Sequence, residues 1–334
     1  MKNTFYILAL FALVINSSCQ KAFLGEELES TSSYDNFQYL WEECRERYTF
    51  FELKNIDWDS VRQVYEPRIN EEMSEEELFS VLAEMLNELR DGHVNLISDF
   101  NVSFFPFFQE GPDNFDFRII QDHYLPSNYF ISSGVAHDFI ADGQIGYIRY
   151  GSFSTPINAE NFGFILDRYQ STEGIIIDMR ENGGGSVSNV FTLLSYFINS
   201  EQVVARSRIK SGPGKDDFSP LEDIVIQPHP TINYNGQVVV LVDRGSYSAT
   251  SYFSLATKAL SNITLIGDIT GGGLGAPNGG QLPNGWTYRF SITQTLDLEG
   301  TNYENGVPPD IEAFFDQENR TRDEVIERAI EEIL

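Results

Sequence analysis

The architecture turns on residues 238–260, VVVLVDRGSYSATSYFSLATKAL. The apolar, mostly β-branched run from Val238 reads as a buried strand that ends at Asp243. Arg244-Gly245 is a turn pair, and Ser248-Ala249 opens a helical stretch. A serine on a strand-to-helix turn is exposed, and the N–H that follows it is placed to donate to a developing oxyanion. These are the mechanics of a nucleophile elbow without its G-x-S-x-G. The same position is also a common helix N-cap, and Ser246 and Ser251 compete for the nucleophile reading.

Outward from this stretch the text keeps alternating. IGYIRY (145–150), GIIIDM (174–179), ITLIG (263–267) and WTYRFSIT (286–293) have buried-strand patterns with helical stretches between several of them, and residues 321–334 read as a closing helix. The result is a mixed α/β domain over 145–334. Before it, from Tyr34 to Leu89, apolar residues recur at helical spacing (Phe37, Leu40, Trp41, Cys44; Leu78, Val81, Leu82, Met85, Leu86, Leu89), and Ser74 with Glu77 forms a capping box. Residues 34–97 are therefore a small helical domain whose aromatics, Trp41, Tyr48, Phe50, Phe51 and Trp58, belong to its core. Residues 98–144, with FNVSFFPFF, FDFRII and NYFISS, read as strands and connecting loops.

The chain has 334 residues, 41% of them hydrophobic, which is enough for one large core or two modest ones. A net charge of −28 provides no basic stripe to displace counterions from phosphate, so nucleic acid is not a partner. The acids are scattered along helical faces rather than clustered as metal ligands. Residues 1–18, with Lys2, an apolar run from Phe5 to Ile15 and then small residues, have the build of an export signal. Ser17-Ser18-Cys19 resembles the end of a bacterial lipoprotein signal, although Asn16 departs from the usual Leu; an ordinary signal cut nearby is the alternative. Acylated Cys19 would leave 19–33 as a tether and anchor the protein in the cell envelope, in the periplasm or at the outer membrane. Cys44 is then the only other thiol and reads as a small buried apolar residue.

Three further elements carry chemistry. DMRENGGGSV (178–187) follows a strand and leaves backbone N–H groups free for a phosphate or an oxyanion, or is simply a tight turn; it is not a P-loop, lacking GxxxxGK[ST]. LRDGHVNL (89–96) places His93 after a helix stop at Gly92; of the histidines at 93, 123, 137 and 229, only this one sits in a compact motif. NYENGVPPD (302–310) holds Glu304 in a Pro/Gly turn, where it orients a base, caps, or is solvated.

Together and in this order, these elements resemble the tail-specific, or C-terminal processing, serine peptidases and their tricorn-core relatives, over nearly the whole chain from Tyr34. The resemblance implies a crotonase-like β/α catalytic domain preceded by a helical bundle. It implies Ser248 as nucleophile and oxyanion donors from Gly183 or Gly184 and from Ala249. The processing branch uses a lysine in a phrase like T-x-G-K-G; here GDITGGGLGAPNGG puts Gly273 in its place, and no Lys follows Lys258. The tricorn-like branch uses His, which His93 matches, with Glu304 matching the acid of a Ser-His-Ser-Glu tetrad. The tetrad's second serine is Gly92 here, so Glu304 acts directly, through water, or not at all. About fifty residues separate His93 from Ile145, too few for the PDZ module that many processing peptidases insert. The implied activity is an exported serine endopeptidase or peptide-trimming hydrolase that acts on a peptide or protein substrate without metal or other cofactor. The alternative is a catalytically inactive binder of a hydrophobic ligand or peptide on the same scaffold.

Overall fold

The computed structural model describes residues 30–105 and 110–334. The expected signal segment, Cys19 and the tether up to residue 29 lie outside the described residues.

Three helices open the fold: α1 (Ser33–Arg47), α2 (Trp58–Tyr65) and α3 (Glu75–Asn87). Each starts on a side-chain cap, Ser32, Asp57 and Ser74 respectively, and at Ser74 both halves of the capping box form with Glu77. Phe37, Leu40, Trp41 and Cys44 share one face of α1 and are buried against Leu82, Met85 and Leu86 of α3. Trp41 and Trp58 each donate an indole N–H to the other's carbonyl, at 3.1 and 3.0 Å, so two buried polar groups are satisfied reciprocally.

The remaining elements are β1 (Asn95–Ile97), α4 (Phe117–His123), β2 (Phe130–Ser132), β3 (Val135–Ile140), β4 (Ile145–Arg149), α5 (Ala159–Arg168), β5 (Gly174–Asp178) and α6 (Val187–Ser195). They continue with β6 (Gln202–Ile209), β7 (Glu222–Ile226), β8 (Gln237–Val242), α7 (Ala249–Thr257), β9 (Ile263–Gly267), β10 (Pro277–Gln281), β11 (Thr287–Ser291), β12 (Thr293–Leu296), β13 (Ile311–Glu312) and α8 (Glu324–Ile333). A seven-stranded sheet of order β13-β9-β8-β5-β4-β3-β2 forms the centre, parallel from β4 through β13. The centres of its middle strands are uninterrupted apolar runs, Ile175–Ile177 on β5 and Val238–Val242 on β8, because both faces are covered. Ile175, Ile177, Val238, Val240 and Val242 pack with α5, α6 and α7 on one face, while Ile176, Val239 and Leu241 pack with α4 and α8 on the other.

Two parts of the molecule interlock more than the sequence boundaries suggest. β2 and β3, from the stretch read as a connecting region, are strands of the central sheet rather than a linker to it. FDFRII is helical at its end, as α4, because Asp116 caps Arg118 and Ile119 and Ile120 fall on one buried side. The β10–β11 hairpin reaches back from the α/β domain, pairs with β1, and places Leu282, Trp286, Tyr288 and Phe290 in the helical core. Among the described residues, no separate module lies between His93 and Ile145, and no helix is long and apolar enough to cross a membrane.

Candidate active site

The site forms where parallel strands end, at the carboxyl edge of the sheet, where such folds place ligand-binding loops. After β5, Arg180 turns inward and is fully buried. It holds Asp178 at 2.7 Å and Asp323, the N-cap of α8, at 2.9 Å, and donates to the Asn114 carbonyl at 2.9 Å. This ion pair network fixes the root of the glycine loop. Asn182 then organises its tip: its side chain accepts from the Gly184 N–H at 3.0 Å and donates to the Tyr150 carbonyl at 2.8 Å, while its own carbonyl accepts from the Tyr247 N–H at 3.0 Å.

After β8, Asp243 accepts from the N–H groups of Glu181 at 2.9 Å and Ser246 at 3.0 Å, with its carboxyl pushed up to about 6 chiefly by burial. The rival serines are consumed inside this turn. Ser246 Oγ donates to the Met179 carbonyl at 2.9 Å, and Ser251 Oγ donates to the Ser246 carbonyl at 3.0 Å. Ser248 is different. It occupies the N-cap position of α7, yet its hydroxyl caps nothing, and its backbone sits at φ 56°, ψ −115°, a conformation that costs a non-glycine residue on the order of 1–3 kcal/mol. The strain turns the hydroxyl toward His93, whose Nε2 lies 2.9 Å from Ser248 Oγ across a sequence separation of 155.

His93 reaches this point from the end of the helical domain. Arg90, at φ 48°, reverses the chain after α3, and Asp91 Oδ1 accepts the His93 N–H at 2.8 Å. The ring is buried and packs on Tyr247 with centroids 5.0 Å apart. Burial lowers the imidazole pKa; Asp91 works against that, while Arg289 and Lys54 add to it. A neutral ring with an unprotonated nitrogen facing a hydroxyl is the state a general base requires.

Glu304 is buried and close by, but it does not bond to His93. Its Oε2 accepts the Gly275 N–H at 2.8 Å, and the Gly275 main chain is one of the groups that favour a charged His93. Burial first, and then the negative charge of Asp91, push the Glu304 carboxyl up to about 8, so it holds its proton at neutral pH. The acid that acts most strongly on His93 is Asp91 instead. Sequence reasoning passed over it, although it stands two residues before the histidine in the same RDGH motif. Lys54 completes the group, donating to the Arg90 carbonyl at 2.8 Å with its Nζ 4.0 Å from Asp91 Oδ2.

The two glycines offered as oxyanion donors are not equivalent. The Gly184 N–H is committed to Asn182, and the role of Gly184 is close approach: a Cβ there would lie 2.9 Å from both the Ser248 Cβ and the Ala249 nitrogen. Gly183 instead faces open space and lines the cleft. Ala249 is the first residue of α7, so its N–H has no intrahelical acceptor. The cleft holds about 570 Å³ and is walled by Val187, Ile224, Tyr252 and Leu274 beside Ser248 and His93. Gly273 lies here too, at φ 74°, with the Tyr247 ring 2.4 Å from where a Cβ would stand. Among the described residues, no group of three or more His, Cys, Asp or Glu side chains is placed to hold a metal ion.

A model of peptidase family S41 matches residues 144–313, the stretch that carries the glycine loop, Ser248 and Glu304. The chain belongs to peptidase family S41. The tricorn protease C1 domain matches residues 34–87, the helical part of this S41 chain. A solved structure from Parabacteroides merdae superposes with a TM-score of 0.87 at 37% identity, covering 91% of this chain and 98% of that one. Mature CPAF shares the fold, with a TM-score of 0.67 at 14% identity over 90% of this chain and 96% of that one. The carboxy-terminal processing protease CtpA of Bacillus subtilis is 27% identical over 178 residues, which are 52% of this chain and 35% of that protein. CtpB of the same organism is 26% identical over 171 residues, 50% of this chain and 34% of CtpB. The chain thus spans about a third of the length of these curated relatives.

Proposed function

We propose that this S41 chain is a serine endopeptidase or peptide-trimming hydrolase in which Ser248 attacks a peptide carbonyl and His93 moves the proton. The observation that carries the reading is the 2.9 Å approach of His93 Nε2 to a serine hydroxyl that makes no cap, on a backbone strained to present it. His93 Nε2 takes the Ser248 proton as Oγ bonds to the carbonyl carbon. The oxyanion is held by the N–H groups of Gly183 and Ala249, and His93 passes its proton to the departing amine. Water then repeats the sequence on the acyl-enzyme and restores Ser248. Asp91 is the carboxylate that most favours a charged His93, and Glu304 is a positioning residue whose carboxyl accepts the Gly275 N–H and so fixes the main chain beside the ring.

Labelling with a fluorophosphonate probe tests this. Wild type should label covalently at Ser248, and Ser248→Ala and His93→Ala should not. Labelling that persists in Ser248→Ala sinks the nucleophile assignment. The apolar wall of the cleft also fits a non-hydrolytic binder of a hydrophobic ligand or peptide, and a folded wild type that never labels would select that reading. The cellular placement belongs to the same proposal: an exported lipoprotein held in the periplasm or outer membrane through Cys19. It is supported by residues 1–19 alone. Cys19→Ala should release the protein from the membrane fraction, and unchanged sedimentation with membranes would reject the anchor.

A further inference from the structure

One end of the molecule carries an exposed apolar tip. After β1 the chain turns through Ser98–Asn101 and comes back along itself: the Ser98 N–H donates to the Asn101 carbonyl at 2.9 Å, the Ser103 N–H to the Leu96 carbonyl at 2.8 Å, and the Leu96 N–H to Ser103 Oγ at 2.9 Å. The hairpin is thus well bonded, yet Ile97, Phe100, Val102 and Phe104 are exposed, from 40% at Ile97 to 61% at Phe104. Ile97 and Val102 stand directly opposite each other, and Phe104, two residues on, shares their face. The Phe100 ring meets Phe79 and Trp286 edge-on, with centroids 5.5 and 5.8 Å away, which roots the tip in the helical core. Single exposed apolar side chains are ordinary, but four within one short hairpin make a patch that calls for a partner.

The segment that follows Cys19 arrives at this same end. The Ser30 N–H donates to the Pro283 carbonyl at 3.1 Å in the β10–β11 turn, and Asn36, which accepts the Asn284 N–H at 3.0 Å, donates to the Ser30 carbonyl at 3.1 Å. That turn leads into Trp286, the residue on which Phe100 packs. From Cys19 to Ser30 is eleven residue steps. However they are arranged, steps of at most about 3.6 Å reach roughly 40 Å, less than the roughly 50 Å diameter of a domain of this size. A lipid on Cys19 therefore keeps this end of the molecule, and not the opposite one, at the bilayer. We propose that the 97–104 hairpin is a membrane-docking tip, whose apolar side chains enter the interfacial layer of the bilayer that holds the acyl chains of Cys19. This rests on the anchoring reading and adds a second contact to it.

Charge decides the kind of contact. Asp99 stands in the hairpin turn, and two more acids flank the entry at Ser30: Asp35 accepts the Ser30 hydroxyl at 2.7 Å and Glu71 the Ser32 hydroxyl at 2.8 Å. With these acids, and a net charge of −28 behind them, anionic headgroups repel the tip, so the contact is apolar and zwitterionic lipid favours it. A few side chains hold a free protein to a membrane only weakly. Joined to acyl chains already in the bilayer, the tip docks as an intramolecular event. β1 runs from the tip toward His93, four residues before Ile97, so docking fixes the Ser248–His93 cleft within about 15 Å of the lipid-facing end.

The experiment uses the acylated protein in phosphatidylcholine vesicles, with a nitrobenzoxadiazole probe on Val102→Cys; Cys19 is blocked by its lipid, and Cys44 is buried. Lipid carrying a nitroxide just below the headgroups quenches a probe that enters the bilayer. Quenching at 102 is expected to exceed, by about threefold or more, that of the same probe on Glu331→Cys at the exposed side of α8. Adding Phe104→Glu should cut the quenching at 102 about twofold or more while the protein still floats with the vesicles. Replacing half of the lipid by phosphatidylglycerol at low salt should weaken it too. Equal quenching at the two positions overturns the docking tip, as does quenching that survives Phe104→Glu or rises with phosphatidylglycerol. A probe at 102 that is shielded only by added peptide or by a second copy of the chain also overturns it. Failure of the anchor is read separately: protein without lipid on Cys19 does not float with the vesicles at all, and the docking tip falls with it.

Discussion

Replacing Glu304 with Gln separates the two carboxyl groups beside His93. Glu304 is 4% exposed, and its carboxyl sits at about 8 instead of the ordinary 4.5, because burial and the charge of Asp91 both penalise ionisation. A group whose folded value is raised binds its proton more tightly when folded. Its contribution to stability is therefore fully present below pH 4.5 and is lost as pH rises toward 8. The loss accrues at roughly 1.4 kcal/mol per pH unit, which over this window sets an upper bound on the order of 4–5 kcal/mol. Glutamine reproduces the neutral acid: its carbonyl oxygen accepts the Gly275 N–H, and it never ionises. Urea unfolding of wild type and Glu304→Gln at pH 5, 6.5 and 8 should show the variant near wild type at pH 5 and gaining on it by 1 kcal/mol or more, roughly, by pH 8. Asp243 and Asp323, which burial also raises, titrate in both proteins and cancel in the comparison. Parallel stability curves would refute the reasoning, since they would mean Glu304 is ionised throughout. Activity at pH 7 should survive in Glu304→Gln, whereas Glu304→Ala removes the acceptor for Gly275 and should lose most of it.

Three further outcomes follow from the same geometry. Asp91→Asn keeps an oxygen for the His93 N–H but removes the charge that favours a protonated ring; kcat/KM should fall on the order of tenfold to a hundredfold, and its acid limb, already below the ordinary imidazole value of 6.5, should move lower still. An unmoved limb would reduce Asp91 to a structural part. Ser248→Gly relieves the backbone strain at φ 56° and should melt higher than the equally inactive Ser248→Ala, by about 1 kcal/mol at the transition; a lower melting temperature would show that the strain is not there to relieve. Gly273→Lys, which restores the residue type of the lysine branch, should not rescue Ser248 activity in a His93→Ala background, because φ 74° and the Tyr247 ring 2.4 Å away exclude a side chain; destabilisation of roughly 2 kcal/mol or more is expected on urea titration, and recovered activity would contradict the packing.

The sheet was legible because burial on two faces writes uninterrupted apolar runs, as in Ile175–Ile177 and Val238–Val242, and those runs are local. The helical domain was legible for the same reason, through the period of Phe37, Leu40, Trp41 and Cys44. What escaped was every relation that joins distant segments. NYFISS was read as strand but not as part of the central sheet, since β2 and β3 join it by antiparallel pairing that a short run cannot declare. Asp91 was visible as a residue and invisible as the neighbour of Glu304, which is brought to it by a turn more than two hundred residues later. Arg289 carried no signal of its own within WTYRFSIT, and only its pairing with Asn95 places it beside the site. Gly183 and Gly184 were indistinguishable in GGG; the Asn182 side chain tells them apart.

One consequence of that long-range assembly concerns how the site comes into being. His93 leaves the helical core directly, with the Leu89 carbonyl held by the Tyr48 hydroxyl at 3.2 Å and the Arg90 carbonyl by Lys54. That core is itself completed by Trp286, Tyr288 and Phe290 from the β10–β11 hairpin, whose neighbouring Arg289 and Gly275 act on the same histidine. His93 and Ser248 therefore meet only when the hairpin has closed onto the helices. A hole in that shared core, such as Phe290→Ala at 0% exposure, should cost roughly 3–5 kcal/mol in stability. It should also lower fluorophosphonate labelling at temperatures below global unfolding, because loosening the hairpin withdraws His93 before the parallel sheet that holds Ser248 gives way. Labelling and the unfolding of the sheet that fall together at every temperature would show instead that the two regions melt as one unit and that the site has no separate route to disassembly.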